Sequence, residues 1–200
     1  MCQAAHILNT TKNNMEIVET PIKGCFIVKN RLFRDERGYF FESFNHEKFA
    51  GLTGWDGRFV QDNQSESGFG VVRGLHFQNG VHAQAKLVRA LKGQILDVVV
   101  DIRPESPSFG AVFSIILTED NENQLFIPRG CAHGFSVLSP TAIFFYKCDN
   151  YYHKPSECGI HPLDKDLAIN WQIEPDRVLL SEKDAKAASW ESFKSGLNLK

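Results

Sequence analysis

The chain has little that would tie it to a nucleic acid, a membrane or an oxidising compartment. Its 200 residues hold 22 Lys+Arg against 24 Asp+Glu, a net charge of -2. There is no basic excess to neutralise phosphates or an anionic surface. No apolar run reaches membrane-spanning length, and "MCQAAHILNTTKNN" lacks the basic-then-apolar order of a secretory leader. The five cysteines (Cys2, Cys25, Cys131, Cys148, Cys158) are odd in number and form no C-x-x-C pair. That argues against a disulfide framework and against a structural zinc site. Reduced thiols in a cytoplasm are expected. A Gly-rich dinucleotide fingerprint is also missing, so no redox cofactor is expected.

What the chain does have is phenylalanine, sixteen residues of it against three Trp and four Tyr. It lies in short Val-, Ile- and Phe-rich runs such as "GCFIVKNRLF", "GVVRGLHF", "QILDVVVDIR" and "AIFFYKCDNYY". Gly, Pro, Asn and Asp clusters separate these runs at regular intervals. The rhythm predicts an antiparallel sandwich or barrel rather than βαβ units. Two helices are predicted. "NHEKFAGLTG" reads as a short one ending at glycine. The other starts near Ser181, where Ser181 and Asp184 have capping-box spacing ahead of alanine-rich helix formers. The reading is one domain over 1–200, with 181–200 a helical appendage. Residues 1–14 are either a loose tail or a stretch ahead of a natural start at Met15.

Strand parity raises the question of function. In "QILDVVVDIR", Asp97 and Asp101 share a face with Ile95 and Val99, and each lines a wet interior or faces solvent. In "RGLHFQ", His76 shares a face with Gly74 and Gln78, whereas Arg73 lies on the other. Arg73 and His76 can share a pocket only if the strand is bent, and Gly74 is where a bulge is easiest. Lys86, His133 and Tyr146 recur on neighbouring strands. Each has an ordinary reading: a snorkelling lysine, a turn cap, a packed ring. Together, on strands of one barrel, they suggest convergent polar groups at a barrel mouth.

"PRGCAH" has the P-x-G-x-x-H arrangement of the second cupin motif, and "KLVRALKG" resembles the end of the first. Metal cupins place a glutamate where this chain has Lys86, and an H-x-H pair where it has Gly80 and His82. An ammonium cannot ligate a metal. Of the ligand slots only His82 and His133 remain, too few for a tight site, so no metal is expected.

From about Phe33 to Asp184 the chain resembles the dTDP-4-dehydrorhamnose 3,5-epimerase family of the cupin superfamily. "DERGYFFES", "VQDNQSES", "RGLHFQ", "AQAKLVRALKGQILDVVVDIRPESPSFG", "IPRGCAHGF", "FYKCDNYYHKPSE" and "LSEKDA" carry the match in order and spacing. "GIHPLD" departs from the family's Trp-Asn-Asp segment, which touches the sugar-side loop. The resemblance implies a cupin-type antiparallel β-barrel (jelly roll) acting without a cofactor. It implies His76 as general base, Asp184 as the carboxylate that orients it, and Tyr146 as the acid on the opposite face. Arg73, Lys86, His133, Gln61, Asp62, Asn63, Glu157 and Lys183 match substrate-binding positions. Arg37 and Glu42 match nucleotide contacts supplied by the partner of a homodimer with exchanged N-terminal strands.

The implied substrate is a dTDP-linked 4-keto-6-deoxyhexose. Its ketone acidifies the protons on C3 and C5. Inversion there needs a base on one face, an acid on the other and a donor for the enolate oxygen. Imidazole titrates near neutral pH, a carboxylate favours the imidazolium, and Lys86 supplies positive charge to the enolate. One such electrostatic donor contributes about 3 kcal/mol. The rivals are a single-centre epimerase or ketoisomerase on the same sugar, and a cupin that only binds a sugar nucleotide. Tyr146 favours epimerisation over ketoisomerisation.

Overall fold

The structure is a computed structural model that describes residues 15–197 and the backbone of Ile7–Leu8. The expectation for residues 1–14 otherwise lies outside the described residues. The first five strands are β1 (Ile7–Leu8), β2 (Met15–Glu19), β3 (Phe26–Asn30), β4 (Phe33–Asp35) and β5 (Gly38–Phe40). After helix α1 (His46–Thr53) come β6 (Gln61–Gly68), β7 (Val72–Gln78), β8 (Lys86–Lys92), β9 (Gln94–Asp101) and β10 (Val112–Thr118). β11 (Gln124–Ile127), β12 (Cys131–Val137), β13 (Thr141–Cys148) and β14 (Glu157–Gly159) follow, then helices α2 (Glu182–Ala185) and α3 (Trp190–Gly196).

Twelve of the strands form two facing antiparallel sheets, ordered β1-β2-β3-β11-β8-β13-β6 and β10-β9-β12-β7-β14, and β4 and β5 form a separate hairpin. This is the expected mainly β, jelly-roll class. β9 shows why its face could not be read from alternation, since seven of its eight residues are buried. Ile95 and Val99 pack between the sheets with Val88, Leu125 and Phe144. Leu96, Val98 and Val100 pack outward under Trp171 and Trp190. A strand covered on both faces loses the polar half of its pattern. β6 is the opposite case, a polar edge strand that needs no apolar face beyond the mouth of the barrel.

Helix α1 forms as expected. The Asn45 side chain accepts from Lys48 N at 3.1 Å, and Gly54 closes the helix at φ 72. Phe49 anchors it against Trp55 and Phe126.

The single helix expected from Ser181 onward is a correction. Two short helices stand there, α2 capped by Ser181 and α3 by Ser189. Ala188 leaves the helical path to bridge Ile160, and its carbonyl accepts from His161 N at 2.8 Å. "GIHPLD" lies at this junction, where Asp164 accepts from Trp190 N at 2.9 Å. Its tie to the appendage accounts for this segment without a sugar contact. None of the described helices is long and apolar enough to cross a membrane.

Candidate active site

β7 and β12 pair with His133 opposite His76 but Phe135 opposite Arg73. One residue of β12, Gly134, therefore faces two of β7, Gly74 and Leu75, and the extra one is Gly74. A Cβ on Gly74 (φ 130) would sit 2.6 Å from Gly134 Cα, and one on Gly134 would sit 2.6 Å from Arg73 O. Only glycine fits on either side of this crossing. The bulge turns Leu75 and Phe77 outward into the apolar layer. Arg73 and His76 both turn to the barrel mouth, where they line one cavity and Arg73 donates to Ser67 Oγ at 3.0 Å. The bend expected at Gly74 is present.

Asp184 reaches His76 from α2. Its Oδ1 lies 2.5 Å from His76 Nε2, although the two residues are 108 apart in sequence. Capping and pairing coexist. Ser181 Oγ accepts from Asp184 N at 3.1 Å, which fixes the backbone that presents the carboxylate. Burial alone would raise the Asp184 carboxyl, but the hydrogen bond and charge of His76 outweigh it and hold it below the usual range. Donation from Nε2 to a carboxylate leaves the other ring nitrogen of His76 with its lone pair, the arrangement of a general base.

Tyr146 comes from the other sheet, so it meets His76 across a cavity of about 210 Å³ that both line. Burial pushes its hydroxyl up to about 12. It therefore stays protonated at neutral pH, as a proton donor must. Lys86 lines the same cavity, with Nζ 5.8 Å from the Tyr146 ring centroid. Burial lowers the Lys86 ammonium.

His133 is not a turn cap. It is buried, and its Nε2 lies 2.9 Å from Asp97 Oδ2. Burial lowers the imidazole against the pull of Asp97. Asp97 is fully buried on the face of Ile95 and Val99, which pack between the sheets. Asp101 is also buried, but it is bound to Arg103, Ser106 and Ser108 in the following loop.

The remaining expected residues divide. Gln61, Asn63 and Glu157 line the cavity with His76 and Tyr146. Lys183 sits at the rim, 2.8 Å from Glu157 Oε1. Asp62 is not brought in, because strand parity turns it outward, where Lys147 pairs with it at 2.9 Å. Arg37 and Glu42 are also outside the cavity. Arg37 pairs with Asp35 at the tip of the β4–β5 hairpin, and Glu42 pairs with Lys48 at 2.9 Å. His82 stacks on His153 with ring centroids 3.8 Å apart. Gln84 and Tyr152 line the cavity without having been expected there. Nothing in their local pattern separates them from other loop residues. The partner of His133, Asp97, shares its parity with Ile95 and Val99, which left both a wet interior and a solvent face open.

A carboxylate-backed imidazole, a protonated phenol on the facing sheet and an ammonium beside that phenol suit removal and return of a proton beside a carbonyl.

Comparison with known proteins follows the same line. A family model described as dTDP-4-dehydrorhamnose 3,5-epimerase matches residues 19–192. The chain is 49% identical over 172 residues to the enzyme of that name from Escherichia coli K12, covering 86% of this chain and 92% of that protein. It is similar to the crystal structure of the enzyme of that name from Elizabethkingia anophelis, with 50% identity and a TM-score of 0.87 over 90% of this chain and 98% of that one. It is also similar to a dTDP-6-deoxy-D-glucose-3,5-epimerase from Legionella pneumophila solved with dTDP-4-keto-L-rhamnose. That match has 47% identity and a TM-score of 0.86, over 92% of this chain and 96% of that one.

Proposed function

The chain belongs to the dTDP-4-dehydrorhamnose 3,5-epimerase family, and from that premise we propose that it inverts C3 and C5 of dTDP-4-dehydro-6-deoxy-D-glucose to give dTDP-4-dehydro-L-rhamnose. One observation carries the mechanism. His76, backed by Asp184, and a protonated Tyr146 line one cavity from facing sheets. His76 takes the proton from the carbon beside the ketone, and the charge moves to the ketone oxygen. Lys86 stabilises that oxyanion. Tyr146 returns a proton to the opposite face and is replenished from solvent. The carbanion is flattened by conjugation, so proton return from the far side inverts the centre. Arg73, Lys183, Glu157, Gln61 and Asn63 hold the nucleotide sugar around these three groups.

The active form in this proposal is a homodimer. Arg37 and Glu42 stand outside the cavity of their own chain, on and beside a hairpin that exposes Phe33, Tyr39 and Phe40. A second copy that takes up the exchanged N-terminal segment would cover these rings and bring the two charged groups to the nucleotide. A cytoplasmic setting fits the thiols of Cys25, Cys131, Cys148 and Cys158, none of which is in a disulfide.

The test is incubation with the dTDP-4-keto-6-deoxyglucose substrate in deuterated water, read by proton NMR. Label at both C3 and C5 with an L-rhamno product is expected. Label on one carbon alone would make the enzyme a single-centre epimerase. Binding with no label would reduce it to a sugar-nucleotide-binding cupin. Sedimentation should find a dimer, and Arg37→Ala should raise KM for the nucleotide sugar.

A further inference from the structure

The interior of the barrel holds an ionisable group to which no step above gives a role. Asp97 is fully buried on β9, and only one of its oxygens is used, by His133 on β12. The other, Oδ1, meets no donor among the described residues. A buried carboxylate oxygen without a donor is costly unless a positive charge compensates it. Lys86 on β8 is the ammonium whose charge acts on Asp97, and Asp97 acts on it in return.

We propose that Asp97 is a positioning residue that keeps Lys86 cationic and fixes the ring of His133, with Nε2–H toward the carboxylate, beneath the reacting sugar. The inference rests on the reaction proposed above and adds a residue to it.

The groups facing Lys86 leave Asp97 as its counter-ion. On β13, Tyr146 and Cys148 are both uncharged at neutral pH, pushed up by burial to about 12 and about 11. On β14, Glu157 is already committed to Lys183 at 2.8 Å and to the Tyr152 hydroxyl at 3.1 Å. On β12, burial keeps His133 from charging, and Lys86 repels a second positive charge there. An anionic Asp97, a cationic Lys86 and a neutral His133 sum to zero. Without the Asp97 charge, the ammonium would be buried with no counter-ion of its own. An ammonium kept charged in this way is ready when negative charge develops on the ketone oxygen.

Asp97→Asn is the informative change. Its amide oxygen can still accept from His133, so the shape is kept and only the charge is removed. Deuterium uptake at C3 and C5 is followed against pH for wild type and variant, with KM measured at each point. The alkaline limb of kcat should move to lower pH by about one unit while KM stays put. A folded Asp97→Asn protein with an unmoved limb overturns the proposal. So does a fall in kcat at every pH with no shift, which marks a merely structural role. Carbon-13 lysine NMR on the substrate-free wild type provides the second reading and needs no variant. A Lys86 side chain already neutral at pH 7 overturns the proposal, and one that stays charged supports it. No exchange in wild type would count against the reaction itself. Normal wild type beside an unshifted variant counts against Asp97 alone.

Discussion

Two His–Asp pairs stand side by side, since His76 and His133 are register partners across β7 and β12. They use the same chemistry in different solvents. In the outer pair the His76 side chain is 30% exposed, and its partner Asp184 comes from a helix outside the sheets. In the inner pair His133 is 7% exposed and Asp97 not at all, and both sit on adjacent strands. An imidazole at a mouth can pass protons to substrate and water. One sealed between sheets cannot, and what it offers is a fixed dipole and a place in a charge balance. Residue type alone therefore does not set the role; access to solvent does.

The strongest way to break this contrast is His76→Ala. It should remove exchange at C3 and C5 by about 10³-fold or more, because a positioned base has no substitute at the mouth. Wild-type deuterium uptake in that variant would sink the assignment. Asp184→Asn should cost about 10²-fold, since the imidazole survives but loses the charge that stabilises its protonated form. Its pH dependence has a definite sign. The Asp184 carboxyl is held low in the folded protein, so the stability it contributes is complete above the unfolded carboxyl range. That stability is lost as pH falls through the lower folded value. Acid titration by circular dichroism should find Asp184→Asn less pH-sensitive than wild type at the acid end. Tyr146→Phe should cost about 10-fold in net inversion while exchange persists, because the first proton still leaves through His76. NMR separates the two by comparing label with product.

Two changes sharpen the contrast from outside it. Asp101 is an interior carboxylate with no histidine. Burial would raise it, but Arg103, Ser106 and Ser108 outweigh that and bring it down to about 2. Asp101→Asn should cost about 2 kcal/mol in urea unfolding near neutral pH and leave exchange intact. A loss of exchange there would mean that interior charge in general, rather than the cluster at Lys86, tunes the site. Glu182→Gln is the smallest change. It removes an exposed ion pair with Lys186 on the helix that carries Asp184. Less than about 0.5 kcal/mol and no change in rate are expected.

The strands were legible wherever β-branched and aromatic residues clustered between turn formers, and the cap residue Ser181 marked the start of α2. β14 was not, since three residues of Glu-Cys-Gly carry no period. The break at Ala188 was hidden because it comes from a tertiary bridge to Ile160 and not from a local breaker. In the site, the bulge at Gly74 was readable as the one place where Arg73 and His76 could be reconciled. The pairing of Asp97 with His133 was not, because alternation says which residues share a face and never which face is inside. The outward turn of Asp62 follows from its neighbours Gln61 and Asn63 once those two are known to face the cavity.

Asp184 has one more consequence. The last strand ends at Gly159, and the carboxylate that pairs with His76 follows only after a further stretch of chain. A protein cut short before Leu180 would keep every strand, the bulge, Tyr146 and Lys86, and would present a nearly complete cavity. It would still lack the group that makes its histidine a base. Synthesis from N- to C-terminus therefore delivers the activating group among the last residues made, so a truncated product carries the cavity without its full activity.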